Sequence, residues 1–136
     1  MLKGNCINPE LMAALSYLGH GDQILIADGN YPLASETGDD CNLIYLGLRP
    51  GQPTTTDVLE TILSVINVEA AGVMDPGTGE EPEIFAEFSK ILGGMELGKI
   101  GRWDFYDRAQ DKKVRVAIST GEKRTFANIL VTVGVS

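Results

Sequence analysis

The chain has 136 residues, of which 43% are hydrophobic and 22% are charged, and its formal net charge is −8 with a pI of about 4.5. This composition fits one globular domain and excludes a disordered chain. The negative charge disfavours nucleic acids and anionic membranes as partners, and a neutral ligand suits it better. The densest basic cluster, at residues 112–115, alternates along a predicted strand and is interpreted as a solvated face.

The two cysteines, Cys6 and Cys41, show neither the pattern of a disulfide framework nor the spacing of metal ligands. The N-terminus has no apolar signal segment, and no apolar run is long enough to cross a bilayer. We therefore expect a cytoplasmic protein with no bound metal.

The first half of the sequence predicts two helices and two strands. Asn8 is suited to cap a helix, and Pro9 is suited to its first turn. The apolar run that ends in Asp28 is apolar on both faces, which is typical of a buried parallel strand. The predicted elements of this half are a helix over 8–19, a strand over 23–28, a strand over 42–48 and a helix over 54–67, which opens with a capping-box pattern.

The second half continues the alternation of strands and helices. Its predicted elements are strands over 70–74, 97–100, 114–120 and 128–133, helices over 82–92 and 103–110, and a loop over 75–80. We therefore predict a single α/β domain over residues 1–136, with a largely parallel sheet covered by helices. The pattern leaves open whether the last two strands form a hairpin or lie apart.

His20 is the single histidine and lies between two glycines, after the first helix and before the first strand. The neighbouring glycines allow a sharp turn that leaves the imidazole uncrowded. Histidine is the side chain best suited to exchange protons near neutral pH. His20 is thus a candidate acid/base residue, and the competing interpretation is a histidine on the surface or at a helix end.

Polar residues at strand ends and on one short helix form the remaining candidates. Asp28 ends the first strand, and ligands of open α/β sheets gather beyond the carboxyl ends of strands. Asn128 offers both a donor and an acceptor. Arg102 and Tyr106 are four residues apart, so that they share a face of a helix. The competing interpretations are a turn aspartate, a strand-edge asparagine and an ordinary amphipathic helix.

Blocks of this sequence, distributed over nearly its whole length, resemble one known family. They are Asn8-Pro9-Glu10-Leu11, Gly19-His20-Gly21-Asp22-Gln23-Ile24, Ala27-Asp28-Gly29-Asn30-Tyr31-Pro32, Arg102-Trp103-Asp104-Phe105-Tyr106-Asp107-Arg108-Ala109-Gln110, Thr120-Gly121-Glu122 and Phe126-Ala127-Asn128-Ile129-Leu130. In order and spacing they resemble the fucose mutarotase and ribose pyranase family (RbsD/FucU). The block that begins at Arg102 is closer to the fucose branch, since the ribose branch usually has a histidine near this position.

The resemblance implies a role for each candidate residue. His20 matches the family's general acid/base histidine. Asp28 and Asn128 match residues that bind the sugar, and Arg102 and Tyr106 match residues that line the sugar pocket in the fucose branch. For the reaction itself, we expect Tyr106 to assist His20 in proton transfer and expect that no cofactor is required. The resemblance further implies a homo-oligomer, commonly a decamer of two stacked pentamers, with the pocket near a subunit boundary.

Phe126 departs from the family pattern, which usually has a tyrosine at this position. The hydroxyl is lost, but main-chain groups there remain able to bind, and Phe126 is kept among the expected substrate-binding residues. Tyr106 and Tyr31 are the candidate replacements for the missing hydroxyl.

The function implied by the resemblance is that of an isomerase, a mutarotase for a free monosaccharide such as L-fucose or a related sugar. Acid/base catalysis would open and close the sugar ring. Three alternatives stay open: a ribose-type pyranase, a non-catalytic sugar-binding protein, which Phe126 favours, and a structural assembly protein without a ligand.

Overall fold

The computed structural model describes all 136 residues and contains four helices and six strands. In chain order they are α1 (Pro9–Ser16), β1 (Gln23–Ala27), β2 (Asn42–Tyr45), α2 (Thr55–Leu63), β3 (Val68–Asp75), α3 (Glu83–Ile91), β4 (Gly98–Gly101), α4 (Arg102–Ala109), β5 (Val114–Ser119) and β6 (Ile129–Val133). None of these helices is long and apolar enough to cross a membrane.

The six strands form one sheet in the order β2-β5-β1-β6-β3-β4. β1, β2 and β5 pair in parallel, as do β3 and β4, whereas β6 runs antiparallel to both of its neighbours. The predicted α/β fold with a largely parallel sheet is therefore confirmed. The last two strands do not form a hairpin, because β1 lies between them.

The helix starts follow the predicted capping chemistry. The Asn8 side chain accepts a hydrogen bond from the backbone N–H of Leu11 at 2.9 Å. Thr54 and Asp57 form a reciprocal capping box, with bonds of 3.1 and 3.0 Å. The predicted ends were less accurate. α1 and α2 stop earlier than expected, while β3 is longer than its predicted 70–74, because it is held by hydrogen bonds to partners far away in sequence.

The core consists of two apolar layers, one on each face of the sheet. Ile24 and Ile26 of β1 point into the layer formed with α1, α2 and α3. Leu25 and Ala27 point into the opposite layer, which includes Phe105 of α4. Neighbouring residues of a strand face opposite sides, so β1 is apolar on both faces from Ile24 to Ala27, as its sequence predicts.

The direction of β6 determines where the polar residues meet. Because β6 is antiparallel to β1, the carboxyl end of β1 lies beside the amino end of β6. Asp28, just after β1, and Asn128, just before β6, are thereby brought to the same edge of the sheet. This edge of the sheet carries the candidate site.

Gly121 provides a test of the close packing at this edge. A β-carbon there would lie 2.5 Å from the carbonyl oxygen of Arg49 and 2.6 Å from that of Gln52. Since backbone cannot move aside easily, we expect Gly121→Ala to lower the free energy of unfolding by about 1–3 kcal/mol. Gly4→Ala is the control, because its nearest atom would be 3.8 Å away. Equal urea midpoints for the two variants would contradict the prediction.

Candidate functional site

A cavity of about 230 Å³ opens at the carboxyl end of β1. It is lined by Asp28, Asn30, Tyr31, Met74, Arg102, Tyr106, Thr125, Phe126 and Asn128. Cavities for drug-sized ligands are usually about 300–1,000 Å³, so this one suits a smaller molecule, of the size of a single sugar ring.

Asp28 and Asn128 form the buried polar floor of the cavity, and each is only 3% exposed. The backbone N–H of Asp28 donates to Oδ1 of Asn128 at 2.7 Å. The Asp28 carboxylate accepts from the backbone N–H groups of Asn30, at 2.9 Å, and Ala127, at 3.2 Å. Burial raises the pKa of Asp28, and these two backbone donors oppose the rise.

The amide of Asn128 keeps a donor for a ligand. Its Nδ2 lies 4.0 Å from the sulfur of Met74, and its side chain also helps to lower the pKa of Asp28 by hydrogen bonding. A thioether is a weak acceptor, so this N–H group gains by bonding a hydroxyl oxygen. The floor therefore offers a carboxylate acceptor and an amide donor side by side.

Arg102 and Tyr106 form the polar wall of the cavity. Nε of Arg102 donates to the Tyr106 hydroxyl at 3.4 Å, so their four-residue spacing places them together, as predicted. The guanidinium also lies 4.9 Å from the centre of the Trp103 ring, in cation–π geometry. Tyr31 packs on Tyr106 with ring centres 5.4 Å apart, but its own hydroxyl donates to the Glu36 carbonyl at 2.8 Å.

Phe126 lines the cavity in an unusual backbone conformation. Its φ is 55°, and no other non-glycine residue of the chain has a positive φ. This left-handed turn directly precedes the Ala127 N–H group that bonds Asp28. The strain is localised in a wall of the cavity, as is common at functional sites.

His20 lies apart from the other candidate residues. It precedes β1, whereas the cavity lies beyond the end of β1, and five residues at about 3.3 Å each span roughly 16 Å. Its side chain is 58% exposed and borders a separate depression near the end of β6. Nε2 lies 3.0 and 3.1 Å from the two Glu69 carboxylate oxygens. Within one chain, five of the six candidate residues therefore line the cavity, and His20 does not.

Three lining residues, Asn30, Met74 and Thr125, were not among the candidates, and Tyr31 was considered only as a replacement for the missing hydroxyl. Asn30 lies in the segment between β1 and β2, and Thr125 lies in the segment between β5 and β6. Met74 is near the carboxyl end of β3, a position that predicts a ligand site in open α/β sheets. Because methionine is apolar, its residue type gave no further indication of a role in ligand binding.

Removing the Asn128 side chain tests the buried floor. Asn128→Ala leaves the buried N–H of Asp28 without its acceptor, and we expect the free energy of unfolding to fall by about 1–3 kcal/mol. Asn42→Ala is the matched control, since Asn42 is exposed and its side chain forms no hydrogen bond. Denaturant unfolding would measure both. A loss at Asn128 no larger than that at Asn42 would show that the bond does not support the fold.

The comparisons with known proteins agree on one family. The model of the RbsD / FucU transport protein family matches residues 1–136. A D-ribose pyranase of Geobacillus kaustophilus is 30% identical over 136 residues, covering 100% of this chain and 96% of the relative. A human fucose mutarotase is 31% identical over 143 residues, covering 95% of this chain and 89% of the relative.

Two structures with bound sugars are similar to this chain over nearly its full length. Bacillus subtilis RbsD complexed with D-ribose has a TM-score of 0.85 and 26% identity, covering 100% of this chain and 99% of the other. The fucose mutarotase of Streptococcus pneumoniae in complex with L-fucose has a TM-score of 0.80 and 30% identity, covering 96% of this chain and 94% of the other. The family prediction is thus confirmed, and the chain belongs to the RbsD/FucU family.

Proposed function

We propose that this protein is a sugar mutarotase that interconverts the anomers of a free monosaccharide. The observation that carries the proposal is the cavity in which the Asp28 carboxylate, the Asn128 amide, the Arg102 guanidinium and the Tyr106 phenol meet. A sugar ring presents several hydroxyl groups, each both donor and acceptor, and this set matches both capacities. The relatives named pyranase and mutarotase support the same class of reaction.

The reaction requires two proton transfers in each direction. Ring opening takes the proton of the anomeric hydroxyl and delivers one to the ring oxygen, which yields the open-chain aldehyde. Rotation about the C1–C2 bond exposes the other carbonyl face, and closure reverses both transfers. We assign the proton transfer to His20, with Tyr106 as its partner, and the orientation of the sugar to Asp28, Arg102 and Asn128.

Tyr106 is the better replacement for the hydroxyl that Phe126 lacks. The hydroxyl of Tyr31 is already bonded to the Glu36 carbonyl, and burial raises the pKa of Tyr31 well above its usual value. The Tyr106 hydroxyl accepts only the long bond from Arg102. Its hydroxyl hydrogen is therefore left to donate to a sugar oxygen, which supports a role beside the reacting atoms.

A second copy of the chain would complete the site. His20 is too far from the cavity of its own chain, but its exposure leaves it free to enter the cavity of another. Glu69 would hold the imidazole in a fixed orientation through the contact at 3.0 Å. We therefore propose a homo-oligomer, a pentamer or a decamer by family resemblance, in which each cavity receives the histidine of a neighbouring subunit.

L-fucose is the sugar that we place first. Met74 and Phe126 give the cavity an apolar side, which suits the methyl group of a 6-deoxy sugar. D-ribose is the second candidate, and the ribose-bound Bacillus subtilis structure is the observation that favours it. Since both reactions use the same ring opening, a pyranase would need the same residues in the same roles.

Anomer exchange measured by saturation-transfer NMR on fucose, ribose and galactose tests the proposal. We expect the native protein to accelerate exchange. In His20→Ala the exchange rate should fall by about 100-fold or more, because general acid/base groups contribute on this scale. Tyr106→Phe should lose a substantial part of the rate, while Tyr45→Phe, at an exposed tyrosine that does not line the cavity, should lose none. Saturable binding without accelerated exchange would identify a non-catalytic sugar-binding protein instead.

Mixing two impaired variants tests the shared site. His20→Ala retains an intact cavity, and Tyr106→Phe retains an intact histidine. If each site combines groups from two chains, random mixed oligomers should regain about a quarter of the native rate. The two variants are unfolded and refolded together, and this mixed sample is compared with the variants refolded separately. If the mixed sample regains no activity, a site built from two chains is contradicted.

A further inference from the structure

The loop at 121–128 carries Phe126 and is tied to the protein by a chain of charged side chains. Arg124 donates to Glu122 through Nε, at 3.2 Å, and through a terminal nitrogen, at 3.0 Å. Its other terminal nitrogen donates to Glu87 of α3 at 2.6 Å. The arginine thus joins the loop to a helix that does not line the cavity.

Glu122 is the buried anchor of this chain. The residue is 4% exposed, although it carries a charge. Burial by itself raises the pKa of Glu122, but the hydrogen bonds from Arg124 outweigh it and hold the pKa below its usual value. A buried carboxylate is retained only when it is paired in this way, so the two residues depend on each other.

Both ends of the loop are held separately. The Glu122 N–H donates to Thr120 Oγ1 at 3.1 Å, and that hydroxyl donates to the Ala27 carbonyl at 2.8 Å. At the other end, Thr55 Oγ1 donates to the Ala127 carbonyl at 3.0 Å. Between these ends, the charged contacts of Arg124 are the ones that tie the loop to α3. The strained turn at Phe126 follows two residues later.

We propose that Glu122, Arg124 and Glu87 form a clamp that positions Phe126 and Ala127 for sugar binding. None of the three lines the cavity, so they are positioning residues. The clamp holds the left-handed turn at Phe126, which persists only where its surroundings determine it. The turn aims the Ala127 N–H at Asp28 and thereby fixes the carboxylate. The inference rests on the proposed function for its catalytic consequence.

Arg124→Gln and Glu87→Gln are the two test variants. Arg124→Gln leaves Glu122 buried without its cation and risks the fold. Glu87→Gln is milder, because it removes only the negative charge of the outer contact and keeps the Glu122–Arg124 pair. Lys123→Gln is the matched control, since it removes a positive charge from the same loop and Lys123 forms no ion pair.

The first readout is hydrogen exchange of the Ala127 amide, which needs no activity. We expect exchange to be faster by about tenfold in Arg124→Gln and by a smaller factor in Glu87→Gln, while the amides of β1 stay protected, because the opening is local. If the Ala127 amide exchanges no faster in Arg124→Gln and Glu87→Gln than in Lys123→Gln, the proposed clamp is wrong. Equal acceleration in the β1 amides would overturn it too, by showing a general loss of stability.

The second readout is the sugar reaction. We expect kcat/KM for anomer exchange to fall about 10- to 100-fold in Arg124→Gln, since small misplacements of orienting groups have effects of this size. Lys123→Gln should equal the native protein. Rates in Arg124→Gln and Glu87→Gln equal to native would overturn the positioning role. If the native protein accelerates no sugar, the proposed function fails, and the Ala127 amide alone decides whether the clamp exists.

Discussion

The hydrogen bond from the backbone N–H of Asp28 to the side chain of Asn128 is the contact on which the site depends. It joins the end of β1 to the start of β6, two positions that 100 residues separate in the sequence. An all-parallel sheet would place the start of β6 at the opposite edge. The antiparallel direction of this one strand therefore creates the floor of the cavity.

The same polar groups serve the fold and the site. Asp28 accepts two backbone N–H groups that hold the neighbouring loops, yet its carboxylate also faces the cavity. Burial penalises its charge, which is why its pKa is raised despite these donors. A ligand that donates a hydroxyl to Asp28 would relieve part of this penalty. Binding and the local stability of the edge are therefore coupled.

The sequence predicted the features that depend on neighbouring residues. The cap at Asn8, the carboxylate at the end of β1 and the shared face of Arg102 and Tyr106 all follow from local geometry. The direction of β6 and its separation from β5 depend on pairing between distant segments, which periodicity does not encode. The left-handed turn at Phe126 was not predictable either, because glycine or asparagine is the usual signal for it.

The separation of His20 from the cavity has a consequence for the proposed assembly. β1 is a buried strand in a close-packed core, so no bending of it can bring its two ends together. Each chain offers one histidine at one end of β1 and one cavity at the other. A head-to-tail contact that closes into a ring, or a reciprocal two-fold contact, would then produce as many complete sites as chains. Under the proposed function, an isolated chain would lack its acid/base group, so assembly itself would control the activity.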